Sequence, residues 1–185
     1  LEPILEPVLR ELRIRKARKR LPLGGRVCDI FCGKEGKFLF RIAGSIKEGV
    51  GHDRAVSILK KGNISFRKIE ISDKISEASE SFDCVTLLAA LEHAENPNAI
   101  IGECFRILKP GGSLLVTTPA PAGKKILEFL AFKAGLLSKD QIMSHRQYYD
   151  EKRLFNLFCQ AGFNSEKIKI EKFEFGYNLF AVVLK

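Results

Sequence analysis

Short apolar segments with the character of buried strands alternate along this chain with segments that have the spacing of amphipathic helices. The predicted strands cover residues 26–31, 49–52, 65–71, 83–88 and 113–118, and a terminal hairpin covers 167–175 and 179–184. Alternating strands and helices favour parallel pairing, because each helix carries the chain back across one face of the sheet. We therefore predict a doubly wound α/β fold. Its seven-stranded, mainly parallel sheet ends in a C-terminal antiparallel hairpin strand and has helices on both faces.

Turn and cap residues separate the helical segments. We predict helices over residues 4–19, 37–45, 54–61, 98–108, 123–137 and 151–161. Pro22 follows the first helix, Gly62-Asn63 follows the third, and Asp150 caps the last. Residues 72–81 are polar and predict a loop.

Length and composition fit one globular domain. The chain has 185 residues, 45% of them hydrophobic, and a mean hydropathy of −0.03, which excludes a disordered tail or a fibrous repeat. The longest mainly apolar run, residues 84–91, is far shorter than the roughly 20 residues of a membrane span. We predict a basic amphipathic N-terminal helix over residues 1–22, a single globular domain over 23–185 and no transmembrane segment.

Positive charge is concentrated near the start of the chain. Residues 10–20 hold seven basic side chains and one acid, so +6 of the formal net charge of +9 lies in eleven residues. The first predicted helix carries an apolar stripe of Ile4, Leu5, Val8, Leu9, Leu12 and Ile14. We predict that the basic charge lies outside the ligand cleft. It is a candidate for binding a phosphate-bearing substrate, RNA or anionic lipid, or it is a solvated face without a partner.

The five cysteines (Cys28, Cys32, Cys84, Cys104 and Cys159) are odd in number and lie in apolar contexts. Cys28 and Cys32 have a spacing that a metal site could use, but no second pair matches it. Buried free thiols in a reducing compartment are the favoured interpretation, because disulfides are rare there. We therefore predict a cytoplasmic protein.

The carboxyl ends of the first two predicted strands carry residues that suit a ligand. In an open parallel sheet the ligand crevice lies beyond these ends. Gly33 and Gly36 allow a close approach of the backbone, although two glycines also fit a plain tight turn. Asp53 ends the second strand, 24 residues after Asp29, where its carboxylate could accept hydrogen bonds from both ribose hydroxyls of an adenosine. Its alternative role is to cap a helix that begins at Arg54.

Several short motifs occur in order along residues 25–185. They are Val27-Cys28-Asp29-Ile30-Phe31-Cys32-Gly33, Gly51-His52-Asp53, Ser81-Phe82-Asp83-Cys84-Val85, Leu91-Glu92-His93, Arg106-Ile107-Leu108-Lys109-Pro110-Gly111-Gly112-Ser113-Leu114, His145-Arg146-Gln147-Tyr148-Tyr149 and Ala161-Gly162-Phe163. As an ordered set, they resemble the motifs of class I S-adenosylmethionine-dependent methyltransferases with a type 11 methyltransferase domain. The resemblance implies a Rossmann-like fold, S-adenosyl-L-methionine as cofactor and S-adenosyl-L-homocysteine as product.

The resemblance also implies a set of cofactor contacts. Carried over position by position, they are Asp29, Phe31, Cys32, Gly33, Gly36, Asp53, Arg54, Glu70, Ile71, Leu88 and His93. Phe31 stands where the family usually has its first glycine, and the loop carries one residue more than usual before Gly36. For the contact to adenine, Glu70 and Asp73 remain alternative candidates.

His93 is the leading candidate for a general base. It follows the fourth predicted strand, and its ordinary pKa of about 6.5 suits proton transfer near neutral pH, although it could equally be a structural residue that bonds the backbone. Glu92 is a candidate to orient it. The resemblance adds His145 and Tyr148 as catalytic candidates, because relatives build substrate contacts from that segment, although both could equally be surface or packing residues. Some relatives have a Glu-x-x-Glu-His metal motif, but Ala89 occupies its first position here, so we predict no metal.

The sequence thus predicts a methyltransferase that acts on a small-molecule or lipid-linked acceptor. The first predicted helix would shield the cofactor cleft, as leading helices do in relatives. The altered glycine loop leaves a second interpretation, a non-catalytic binding module that keeps the fold. The basic tract leaves a third, an RNA-modifying enzyme, although no aromatic side chains interleave with it to stack on bases.

Overall fold

The computed structural model describes residues 3–57, 60–68 and 74–185. Within them, eight strands form one sheet: β1 (Arg26–Ile30), β2 (Glu48–Asp53), β3 (Lys60–Lys61), β4 (Ile64–Lys68), β5 (Phe82–Leu88), β6 (Leu108–Pro119), β7 (Ile168–Phe173) and β8 (Asn178–Leu184). The spatial order is β3-β4-β2-β1-β5-β6-β8-β7. The five strands from β4 to β6 in that order pair in parallel, and β8 pairs antiparallel to both β6 and β7. The predicted doubly wound fold with a C-terminal antiparallel hairpin is confirmed.

One strand more than predicted is present, at a place where the sequence analysis expected a helix. The helix predicted over residues 54–61 is wrong, because residues 54–57 are not helical and Lys60–Lys61 forms β3. Lys61 pairs with Ile64, so Gly62-Asn63 is a two-residue hairpin loop, and Gly62 has φ +60°. Glycine followed by asparagine ends helices but also closes tight hairpins, and here the hairpin forms. Residues 69–71 of the predicted third strand lie outside the described residues.

Six α-helices accompany the sheet in the described part of the chain. They are α1 (Leu5–Arg18), α2 (Lys37–Ile42), α3 (Pro97–Ile107), α4 (Lys124–Phe132), α5 (Lys139–Met143) and α6 (Glu151–Gln160). The single helix predicted over residues 123–137 is wrong beyond Phe132, because Gly135 adopts φ +65° and turns the chain toward α5. Asp150 caps α6 as predicted, since its carboxylate accepts a hydrogen bond from the Arg153 backbone N–H at 2.7 Å. None of these helices is long and apolar enough to cross a membrane.

Alternate residues of the central strands feed two hydrophobic cores on opposite faces of the sheet. In β1, Cys28 and Ile30 belong to the core beneath α3 and α6, whereas Val27 belongs to the core beneath α1 and α2. This two-residue alternation follows from the pleat of a strand. All five cysteines are free, as predicted, and three of them are buried in these cores. Because both faces are covered, polar ligands can reach the sheet at the carboxyl ends of its strands.

The helix α1 buries only one residue of its predicted apolar stripe. Ile4, Val8 and Leu12 are 75%, 53% and 42% exposed, so half of the predicted stripe lies in solvent. Of the stripe only Ile14 is buried, and the other buried residues of the helix are Glu6 and Ala17. At the N-terminal end of the helix, the Leu5 N–H donates to the Leu136 carbonyl, and the Glu6 carboxylate accepts from the Ser138 N–H, each at 3.2 Å. These contacts determine which face is buried, and the sequence period alone does not reveal them.

Candidate active site

A cavity of about 940 Å³ lies beyond the carboxyl ends of β1, β2 and β5, with α1 forming part of its wall. It brings together most of the predicted site residues: Asp29, Phe31, Cys32, Gly33, Gly36, Asp53, Arg54, Leu88, His93 and His145. Tyr148 does not line it but lies directly behind, with its hydroxyl 3.2 Å from Nδ1 of His145. Glu70, Ile71 and Asp73 lie outside the described residues, so the contact to adenine remains a prediction.

The loop after β1 has a left-handed backbone at three positions. Gly33 and Gly36 have φ +73° and +56°, and a side chain at Gly36 would overlap the ring of Phe66. Phe31 also has a positive φ, +58°. The left-handed conformation costs a residue with a Cβ about 1–2 kcal/mol. Phe31 therefore has a strained backbone at the position where the family usually has glycine. Backbone strain of this kind is common at ligand-binding sites.

Asp53 ties this loop to the end of β2. One carboxylate oxygen accepts a hydrogen bond from the Gly33 N–H at 2.9 Å, and the other accepts from the Ala55 N–H at 2.7 Å. No helix starts at Arg54, so the alternative role of Asp53 as a helix cap there is wrong. Each carboxylate oxygen can accept a second hydrogen bond, which leaves capacity for ligand hydroxyls.

Asp29 is a buried carboxyl group at the base of the cavity. Burial raises its pKa to about 7, against the opposing effect of the Thr86 hydroxyl, which donates a hydrogen bond to it at 2.6 Å. The negative charge of Asp53 also raises the pKa. A cationic ligand group placed beside Asp29 would favour its ionised form.

A second polar cluster lies at the other end of the cavity and consists of Glu92, His93 and His145. Each contributes one nitrogen or carboxylate oxygen, and these three atoms lie within 4.8 Å of one another. Glu92 and His93 belong to a short 3₁₀ turn after β5, and the Arg146 N–H donates to the Glu92 carbonyl at 2.9 Å. That bond docks the segment containing His145 onto the turn.

Burial governs the ionisation of this cluster. It raises the pKa of Glu92 to about 7 and leaves its Oε2 without a hydrogen-bond partner among the described residues. Burial also lowers the pKa of His93 and lowers that of His145 to about 4, so His145 is neutral near pH 7. Neutral imidazole rings are able to accept protons.

Both polar groups of Ser144 lie within hydrogen-bond distance of the His93 ring. Nδ1 of His93 is 3.2 Å from the Ser144 carbonyl oxygen and 3.1 Å from its hydroxyl oxygen. In the tautomer that carries the proton on Nδ1, this proton can be donated to the carbonyl and Nε2 has a lone pair; in the other tautomer, the hydroxyl can donate to Nδ1. His93 therefore has the backbone contact of a structural residue, and the first tautomer also gives it a basic Nε2.

Two imidazoles and one carboxylate are also a ligand set that suits transition metals better than Mg²⁺. The expectation of no metal considered only Glu92 and His93, because His145 lies 52 residues away in the sequence. That expectation stays a prediction.

Arginines of α1 and polar residues of the C-terminal hairpin also line the cavity, although the sequence analysis did not select them. They are Arg10, Arg13, Glu174 and Asn178. The prediction that the basic segment keeps its charge outside the cleft is therefore wrong for Arg10 and Arg13. The spacing of residues 10, 13 and 17 places them on one face of a helix, and this could have been read from the sequence. The structure shows that this face meets the protein, because Ala17 is fully buried. Glu174 has φ +51° and accepts a hydrogen bond from the Asn178 amide, and no sequence pattern indicated this turn.

Comparisons with known proteins identify the family. A family model described as a methyltransferase domain matches residues 5–168. The ubiquinone biosynthesis O-methyltransferase of Xanthomonas axonopodis pv. citri (strain 306) is 33% identical over 119 residues, which cover 60% of this chain and 50% of that protein. The chain thus matches about half the length of such curated relatives.

Solved structures share the fold. The complex between the Haloferax volcanii Trm112 methyltransferase activator and a methyltransferase contains a chain that matches with a TM-score of 0.72 and 18% identity, over 95% of this chain and 90% of that one. An S-adenosylmethionine-dependent methyltransferase from Mesorhizobium loti matches with a TM-score of 0.69 and 18% identity, over 92% and 96% of the two chains. At this level of identity the likeness establishes the fold alone.

Proposed function

The chain belongs to the methyltransferase domain family, and we propose that it transfers the methyl group of S-adenosylmethionine to a hydroxyl group of a small or lipid-linked acceptor. One observation carries the proposal: a single cavity joins the Gly33–Asp53 loop contact to the Glu92–His93–His145 cluster. Relatives with similar sequence are named O-methyltransferases, which supports a hydroxyl as the accepting group.

The residues at the loop end fit the cofactor. Gly33 leaves open space beside the backbone, Asp53 has capacity to accept hydrogen bonds from the ribose, and Asp29 would pair with the ammonium group of the methionine part. When bound, S-adenosylmethionine supplies an electrophilic methyl group on a positively charged sulfur. The chain's own task at this end is to bind and orient, since alignment of the reacting groups lowers the barrier.

His93 is the proposed general base. Its Nε2 lone pair would accept the proton of the acceptor hydroxyl, and the bond from Nδ1 to the Ser144 carbonyl would hold the ring in place and stabilise the imidazolium that forms. Glu92 would add negative charge beside that imidazolium. His145 and Tyr148 are proposed to orient the acceptor. Leu127, Leu137 and Ile142 line the same cavity and suit an apolar acceptor body.

Titration calorimetry with S-adenosylhomocysteine tests the first half of the proposal. We expect saturable binding to the wild-type protein and a loss of at least about 100-fold in affinity for Asp53→Ala, because two loops and the ribose site depend on that carboxylate. Asp140→Ala removes an exposed carboxylate of α5 that does not line the cavity, so it is the matched control and should bind normally. No binding at millimolar ligand would overturn the proposal.

Phe31 favours a second candidate, a binding module without catalysis, because this bulky side chain lines the cavity where the family usually has glycine. The two candidates differ in turnover. A protein that binds S-adenosylhomocysteine but transfers no labelled methyl group to any hydroxyl acceptor would support the second.

The five free thiols are consistent with a cytoplasmic location, which we also propose.

A further inference from the structure

We infer that the acceptor carries an anionic group, a carboxylate or a phosphate, and that Arg13 of α1 binds it at the acceptor end of the cavity. This inference rests on the proposed function, because it assigns the substrate class of that same site. It also gives a role to part of the basic segment that the methyl-transfer chemistry itself leaves unexplained.

The position of α1 directs Arg13 into the cavity. Arg13 lies on the inner side of the helix next to the buried Ile14, and both residues line the cavity. The helix is held near its start by the Glu6–Ser138 hydrogen bond and near its end by Lys16, whose ammonium group lies 3.0 Å from the Glu171 carboxylate. Two attachments a few turns apart hold the helix in a defined rotation, so Arg13 faces the cavity while Arg18, near the end of the same helix, is exposed.

The guanidinium group of Arg13 has no direct partner in the described part of the chain. No residue there forms an ion pair or hydrogen bond with it. Glu92, His145 and Glu174 line the same cavity and interact with its charge electrostatically, but none of the three is bonded to it.

A half-buried cation without a partner is costly, and an anionic ligand group would relieve that cost. A guanidinium group matches carboxylate and phosphate geometry with two parallel hydrogen bonds. Leu9 and Ile142 line the wall near the same end and suit an apolar body attached to the anion. The acceptor class is therefore an apolar molecule with one anionic group and a hydroxyl that reaches the Glu92–His93–His145 cluster.

The test compares three probes that share an octylphenyl body: 4-octylbenzoate, 4-octylphenyl phosphate and the neutral 4-octylbenzamide. Each is titrated into the protein with and without saturating S-adenosylhomocysteine. We expect at least one anionic probe to bind about tenfold or more tightly than the amide, since a charge-assisted pair is worth more than a neutral one. The benzoate and phosphate arms distinguish the two kinds of anion.

Variants of α1 test whether Arg13 causes the preference for an anionic probe over the neutral one. Arg13→Gln should abolish the difference between anionic and neutral probes, Arg13→Lys should keep part of it, and the exposed Arg18→Gln should leave it unchanged. Equal affinity for all three probes, or a preference that survives in Arg13→Gln, would overturn the inference. Failure of S-adenosylhomocysteine to bind would count against the proposed function alone, because probe titration of the free protein still measures the preference.

Discussion

The two ends of the cavity are built in different ways. At the end proposed for the cofactor, Asp29 lies in a central strand and Asp53 at the end of its neighbour, and Asp53 is hydrogen-bonded to the backbone of two loops. At the end proposed for the acceptor, His93 lies in a single 3₁₀ turn and His145 in a non-regular segment, joined through hydrogen bonds such as that between Arg146 and Glu92. The sheet determines the geometry of the first end, and the second end is formed by segments that are distant in sequence.

This difference has a consequence for how the two ends respond to change. Substitutions at the cofactor end should affect ligand affinity and the stability of the fold, because the same atoms serve both. Substitutions at the acceptor end should affect turnover and leave cofactor affinity nearly unchanged.

The largest expected effect is on turnover. His93→Gln should lower kcat by about 100- to 10,000-fold, because it removes the proposed base, while S-adenosylhomocysteine affinity changes by no more than about threefold. The measurement is transfer of a tritiated methyl group to the best acceptor in a panel of hydroxy acids with apolar tails. Parallel calorimetry is the control, and a comparable loss of cofactor affinity would show that the two ends are not separable.

Cofactor affinity should depend on pH in a direction set by Asp29. Its pKa is raised to about 7, so the carboxyl group is mostly protonated at pH 6 and mostly ionised at pH 8. An ammonium group binds the ionised form, and we therefore expect S-adenosylhomocysteine to bind about tenfold more weakly at pH 6 than at pH 8.

The variant Thr86→Val sharpens this test. Loss of the hydroxyl that donates to Asp29 removes an influence that lowers the pKa, so the midpoint of the affinity change should move to higher pH. Affinity that is constant from pH 6 to 8 in both proteins would exclude Asp29 as the partner of the ammonium group.

The glycine loop should be sensitive to added volume. Gly36→Ala combines a left-handed backbone with overlap on the Phe66 ring, and we expect a loss of about 1–3 kcal/mol in the free energy of unfolding. Gly62→Ala is the matched control, since it has a similar φ of +60° but meets no atom within 4 Å. Urea denaturation should show the larger loss for Gly36→Ala, and equal losses would mean that the close approach to Phe66 contributes nothing.

The smallest expected effect is at Phe31. Phe31→Gly relieves the left-handed strain but removes packing and adds freedom to the unfolded chain, so these terms offset one another to within about 1 kcal/mol. We expect S-adenosylhomocysteine affinity to change less than about threefold. An increase of more than tenfold would instead favour the binding module whose loop has drifted from the family pattern.

Residues placed by local sequence patterns could be predicted, and residues placed by contacts between distant segments could not be predicted from such patterns. Asp53 and His93 could be predicted because each follows a strand whose apolar pattern is local. His145 was found through the family motif, although its contact with His93 depends on docking of a segment 52 residues away. Arg13 and Glu174 were missed, because their places depend on the rotation of α1 and on the strained turn before β8. The helix predicted over 54–61 failed for a related reason, since Gly62-Asn63 suits two structures and pairing with β4 decided between them.

A crystal structure of the protein grown with saturating S-adenosylhomocysteine would locate the ligand relative to both ends of the cavity. We expect density for the ligand in the 940 Å³ cavity, with its ribose hydroxyls on the Asp53 carboxylate and its sulfur directed toward the Glu92–His93–His145 cluster. Ligand density elsewhere, or a sulfur directed away from His93, would show that this cavity does not join a cofactor site to an acceptor site.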